Sequence, residues 1–173
     1  MAEKNVIGKW KLVRSDENFE NYMTQIGIGK VGRAWRKKYK PTQIIVKLGN
    51  KMAIRTTNGL FVNLAEFELG EELTEKTVKG EVVKTTYTFE GDDEQTLTST
   101  SNGSKHGILK TERVVEGSEM VHTLTICDIV CKRYYKKVGE APPFEKVIPP
   151  KPGSADAPAS EHDANEEKED QED

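Results

Sequence analysis

The chain has 173 residues, 35% hydrophobic and 32% charged, with two cysteines and a net charge of −3; that length suits one ordinary domain plus an appendage. The charge is divided: residues 153–173 hold nine acidic side chains (Asp156, Glu161, Asp163, Glu166, Glu167, Glu169, Asp170, Glu172, Asp173) against Lys168, whereas residues 1–152 hold 25 Lys and Arg against 20 Asp and Glu. No apolar run approaches the roughly 20 residues of a membrane-spanning helix, and the start, MAEKNVIGKW, lacks the pattern of a secretory leader.

In chain order, VIGKWKLVR (6–14) reads as a strand. Ser15 and Asp16 offer a cap, and Phe19, Tyr22, Met23 and Ile26 recur at helical spacing, predicting a helix of about three turns that Gly27 stops. A second helix is expected from Gly29 to Lys38, closed by Pro41. From there the pattern becomes short alternating runs rich in Thr and Val, separated by turn signals such as GN, NG, EGS and CD. About ten strands with two helices after the first, and no βαβ spacing, predict an all-β antiparallel barrel or sandwich over residues 1–138. EAPPFEKVIPPKPG has five prolines, so residues 139–152 read as an extended linker. Residues 153–173 have no large apolar side chain to offset their ordering entropy and are expected to be disordered.

The last strand, VCKRYYKK (130–137), poses the chemical question. Alternation puts Ile129, Cys131, Arg133 and Tyr135 on one face, so a cation and a phenol share a side with apolar residues. Arg113 lies on another predicted strand, and two neighbouring hairpins would bring both arginines together. The alternative is a solvent face, or salt bridges to Glu112 and Glu116. If the arginines are buried, they demand an anion, because an isolated buried charge is too costly. An apolar enclosure gives that anion a hydrocarbon body, which describes a long-chain carboxylate.

Cys127 and Cys131 lack companion ligands at metal-binding spacing, so reduced thiols, no metal and no cofactor are expected. His106 and His122 have no evident nucleophile, and His162 falls in the acidic tail, which argues against an enzyme acting on lipids.

GKWKLVRSDENFENYM (8–23), GIGKVGRAW (27–35), KPTQIIVKLGN (40–50), FELGEELTEKTVKG (67–80) and LTICDIVCKRYYKK (124–137) together resemble the intracellular fatty-acid-binding protein family, which includes the retinoid-binding proteins. The likeness covers residues 5 to 137. It implies a ten-stranded antiparallel up-and-down β-barrel of two near-orthogonal sheets, capped by a helix-turn-helix lid and holding one lipid inside. It further implies that Arg133 and Tyr135 contact a carboxylate directly and Arg113 through water. Phe19, Tyr22 and Met23 match lid residues facing the cavity, and Thr56 and Leu60 match portal positions; ordinary core packing is the alternative for each. Trp10 is assigned to the core. The implied function is non-enzymatic, reversible binding and intracellular transport of long-chain fatty acids by a monomer. The cytoplasm is the expected compartment, with the nucleus kept open. Retinoic-acid or bile-acid carriage, or a structural role at membranes, are the alternatives. Three features depart from the family pattern: Glu81 where relatives often carry arginine, a long NGSKHG connection that blurs the register from residue 97 to 109, and the acidic tail.

Lys30, Arg33, Arg36, Lys37, Lys38 and Lys40 crowd the second helix and its end. A solvated face is the usual meaning of such a run. An anionic-membrane contact is the sharper reading, and the lack of a reader motif argues against nucleic acid. The acidic tail has the charge to compete with anionic lipid for this lid.

Overall fold

A computed structural model describes residues 5–91 and 94–148. The stretch 149–152 and the acidic segment 153–173, for which extended and disordered chain was expected, lie outside the described residues. β1 (Gly8–Ser15) leads into α1 (Phe19–Gln25) and α2 (Lys30–Lys38). The chain then continues through β2 (Thr42–Leu48), β3 (Lys51–Asn58), β4 (Phe61–Glu68), β5 (Glu72–Lys76), β6 (Val82–Glu90), β7 (Thr96–Asn102), β8 (Leu109–Glu116), β9 (Glu119–Ile126) and β10 (Ile129–Gly139) to α3 (Phe144–Val147). The antiparallel ladder runs β4-β3-β2-β1-β10-β9-β8-β7-β6-β5. Sequential hairpins build the two halves, and the pairing of β1 with β10 joins them into an up-and-down barrel with a seam between β4 and β5. Phe67 of β4 crosses that seam to stack on Tyr87 of β6, with ring centroids 3.8 Å apart.

Alternation holds where it was read. In β10, Cys131 and Tyr135 are fully buried while Val130, Lys132 and Lys136 face outward. The end of the barrel away from the lid holds an apolar cluster of side chains including Met52, Phe67, Leu97 and Met120. Trp10 belongs to this core, its indole N–H donating to the Val6 carbonyl at 2.9 Å. The connection from residue 103 to 108 is long, yet the register across it is regular: Leu97 faces Arg113 and Ser101 faces Leu109.

The lid helices differ in how they are fastened. α1 is seven residues rather than the expected three turns, because residues 17 and 18 form a turn and the helix begins only at Phe19; as expected it stops before Gly27, which turns the chain at φ +87°, where a Cβ would stand 3.0 Å from the His106 ring. It buries Phe19 and Met23 against Leu124 and Cys131. The Asp16 carboxylate, at its entry, accepts from the backbone N–H of Asn18 and of Lys132. α2 has no buried residue. It rests on the β3–β4 hairpin through Trp35, whose ring meets Phe61 edge-on at 5.3 Å.

The expected linker is not extended along its whole length. After Gly139 the chain crosses the outer wall, where Ala141, Phe144, Val147 and Ile148 cover Val46 and Ala53 along with Ile44 and Leu64. The outward patch on β2 and β3 is therefore closed by this strap, and Val147 is as buried as a core residue. Phe67→Ala should cost about 3–5 kcal/mol of stability, and Val147→Ala about 1 kcal/mol, since the strap can detach while the barrel stays closed. Urea unfolding measures both; equal losses would mean that the strap is part of the barrel's cooperative core.

Candidate ligand-binding site

The register of the last three strands sets the chemistry. Arg113 of β8 faces His122 of β9, and His122 faces Arg133 of β10. Three paired residues in neighbouring strands share a face, so two guanidinium groups flank an imidazole, with about 10 Å between the outer backbones. Leu97 continues the row in β7 and Ser15 in β1. Tyr135 lies one inward step along β10, beside Met120.

Arg113 is 7% exposed and donates from Nε to Gln43 Oε1 at 3.0 Å. Neither Glu112 nor Glu116 pairs with it: among the described residues no carboxylate forms a salt bridge with Arg113 or Arg133. Burial lowers the Arg113 pKa, and the Tyr87 and Tyr135 phenols and Glu75 oppose that; a guanidinium nonetheless stays charged. Arg133 is half-buried. Its Nε donates to Ser15 Oγ at 3.0 Å, and its guanidinium lies 4.2 Å over the Phe19 ring.

Gln43 fixes the protonation of His122. Arg113 can only donate, so the Gln43 oxygen faces it; the Gln43 amino group then donates to His122 Nδ1, 3.3 Å away. Burial, then the charges of Arg113 and Arg133, push the His122 pKa well below its usual value. The ring is neutral near pH 7 and carries its proton on Nε2. That Nε2–H and the Tyr135 hydroxyl are both buried without a partner. The site consequently offers donors from Arg113, Arg133, His122 and Tyr135 and suits an acceptor-only group such as a carboxylate.

The expected residues fall in three places. Arg113, Arg133 and Tyr135 come together. Phe19 covers Arg133, Met23 packs under α1 against Leu124 and Cys131, and Tyr22 faces the interior, its phenol pushed up to about 12 chiefly by burial. Thr56 is inside β3 rather than in the turn, opposite Gln43 and Asn63. Leu60 is 94% exposed at the β3–β4 tip, outside the interior surface. Sequence reading missed Gln43 and His122 as site residues. The His122 position was within reach: a two-residue turn at Cys127 and Asp128 counts His122 opposite Arg133.

A cavity of about 200 Å³ opens between α1, the β4–β5 seam and the 103–108 connection, lined by Tyr22, Ile26, Asn63, Glu75, His106 and Ile126 among others. The row of Thr111, Leu124 and Cys131 separates it from the arginines. The polar row thus sits between an apolar floor and a cavity under the lid. Glu81, where arginine was noted in relatives, turns back to accept from Ser104 Oγ at 2.6 Å and from the Lys105 N–H at 3.2 Å.

The profile of the lipocalin / cytosolic fatty-acid binding protein family matches residues 7–138. The chain belongs to this family. Similar relatives include the pig (Sus scrofa) liver fatty-acid-binding protein, 36% identical over 78% of this chain and 99% of that one. Another is the sodium/calcium exchanger regulatory protein 1 of the squid Doryteuthis pealeii, 34% identical over 78% and 97%. A solved Schistosoma mansoni fatty acid binding protein in complex with arachidonic acid shares 31% identity and a TM-score of 0.70, covering 77% of this chain and 96% of its own. The family match ends at residue 138, so the strap and the acidic segment lie beyond it.

Because the unfolded chain takes up a proton at His122 near its ordinary value of about 6.5 and the folded chain only well below it, this residue should make stability fall as pH drops through the window below about 6.5. Urea unfolding of His122→Gln across that window should show a shallower pH slope than the parent. An unchanged slope would contradict the neutral, buried ring.

Proposed function

We propose that the protein reversibly binds and transports long-chain fatty acids without chemical conversion, with the carboxylate received by Arg113, Arg133, Tyr135 and His122. The observation that carries this is the interior row of two arginines around a neutral histidine, with two buried donors unpartnered and no salt-bridging carboxylate among the described residues. The hydrocarbon chain runs from the row toward Tyr22 and the cavity under the lid, gaining about 0.8 kcal/mol per buried methylene. The arachidonic acid bound to the Schistosoma relative and the fatty-acid-binding names of other relatives support the substrate class. The unreactive state of Cys131, buried with its thiol pushed up to about 12 by burial and by Asp16, supports a carrier rather than an enzyme.

The protein works as a monomer in the cytoplasm, and it meets anionic membranes through the lid. Lys30, Arg33, Arg36, Lys37 and Lys38 supply the positive charge; Val31, Leu60, Phe61 and Val62, exposed around the same end of the barrel, supply the apolar area. Arg33 and Lys37 also bind Glu20 of α1, which ties the two lid helices together.

Titration calorimetry with oleate and oleyl alcohol tests the head-group assignment. Arg113→Gln and Arg133→Gln should each lower oleate affinity about ten- to hundredfold, the worth of a charge-assisted hydrogen bond, with little change for the alcohol. Unchanged oleate affinity, or equal losses for both ligands, would overturn it.

A further inference from the structure

The ten residues after the family match carry the chain sideways across the barrel wall. Gly139 pairs with Lys9 in β1, and Ile148 ends in a cleft with Arg55 of β3 and Val62 and Leu64 of β4. At about 4.8 Å per strand, the strap moves the chain some 15–19 Å around the barrel. Its end stands beside a particular hairpin. Val62 pairs with Thr57, and the next pair, Asn58 with Phe61, closes the tip. Phe61 and Gly59 are what Trp35 of α2 rests on. The strap therefore brings Ile148 to the hairpin that supports the basic lid.

Charge and reach agree with this placement. Residues 153–173 hold nine carboxylates and one lysine. On the lid, Arg33 and Lys37 share Glu20, whereas Lys30, Lys38 and Lys40 form no salt bridge among the described residues. The eight residues from Ile148 to Asp156 can span up to about 27 Å, and α2 is about 14 Å long. A tether this short holds the tail near the lid at about millimolar effective concentration.

We propose that residues 153–173 dock in cis on the basic face of α2, so that the tail and an anionic membrane compete for the same lysines. The strap is the device that directs this competition, because without it the tail would start from the β1–β10 side of the barrel. The competition rests on the lid being a membrane-contact surface, as proposed above; the docking itself does not.

The test compares the full chain with two variants, one ending at Ile148 and one with the nine carboxylates of the tail replaced by Asn and Gln. Amide spectra should show shifts confined to α2 and Lys40 between the full chain and both variants, independent of protein concentration. Co-sedimentation with phosphatidylserine-containing vesicles should then show about tenfold tighter binding by both variants at about 0.01 M ionic strength. The gap should narrow at about 0.15 M, where the Debye length falls to about 8 Å. Oleate affinity should be the same in all three, so failure here is separable from failure of the carrier function. Identical α2 spectra would overturn the proposal, and concentration-dependent shifts would overturn docking in cis in favour of docking between copies. Docking without any change in vesicle binding would overturn the competition.

Discussion

A guanidinium group inside a protein is expensive unless something negative answers it, and that constraint organises this barrel. Arg113 is nearly inaccessible, its only hydrogen-bond acceptor among the described residues is the neutral Gln43, and the next group in its row is a histidine kept uncharged. Desolvation of such a charge costs several kcal/mol. A fold that retained it with no anion would gain from an apolar replacement, so the arrangement makes physical sense as one half of an ion pair whose other half arrives with the ligand. Selectivity follows from the same inventory. Four donor groups, two of them cationic, favour a carboxylate; an alcohol or amide brings no negative charge to answer the guanidinium groups.

Much of this was legible in the chain, and the reason is the arithmetic of hairpins. Alternation put Arg133 and Tyr135 on the face shared with Cys131, and a tight turn such as the one at Cys127 and Asp128 makes its register countable, whereas the register across the 103–108 connection came only with the structure. Local rules failed where a feature depends on distant partners. Gln43 is 70 residues from Arg113 and 79 from His122, and nothing near it in sequence marks it as their bridge. The strap was misread for the same reason. Five prolines speak for extended chain, while Phe144, Val147 and Ile148 acquire meaning only against the outward patch they cover. A clue lay in the run Ile44-Ile45-Val46, because uninterrupted apolar strand sequence implies burial on both faces. Ile45 points inside and Val46 lies beneath the strap. Leu60, expected at the portal, stands exposed at the tip of the two-residue β3–β4 turn.

The two lid helices divide the work. α1 is fixed by buried Phe19 and Met23, by Asp16, and by the contact of Phe19 with Arg133, so it is structurally part of the site. α2 has no buried residue, leans on one aromatic hairpin and on the Arg33–Glu20 ion pair, and presents Lys30, Lys37 and Lys38 outward. Elements with few buried contacts open at low free-energy cost, so α2 is the less firmly fastened half of the lid. The strap ends on the strands of that same hairpin, outside the span that matches the family.

The central claim, an ionised carboxylate held by the interior arginines, is tested most directly by carbon-13 NMR of carboxyl-labelled oleate bound to the full chain, followed against pH. The account predicts that the bound carboxyl resonance stays at its ionised position well below an aliphatic carboxyl's ordinary pKa of about 4.3, because protonation would leave the buried Arg113 guanidinium and the half-buried Arg133 unpaired. A resonance that titrates at or above that value would place the head group in solvent and contradict the account.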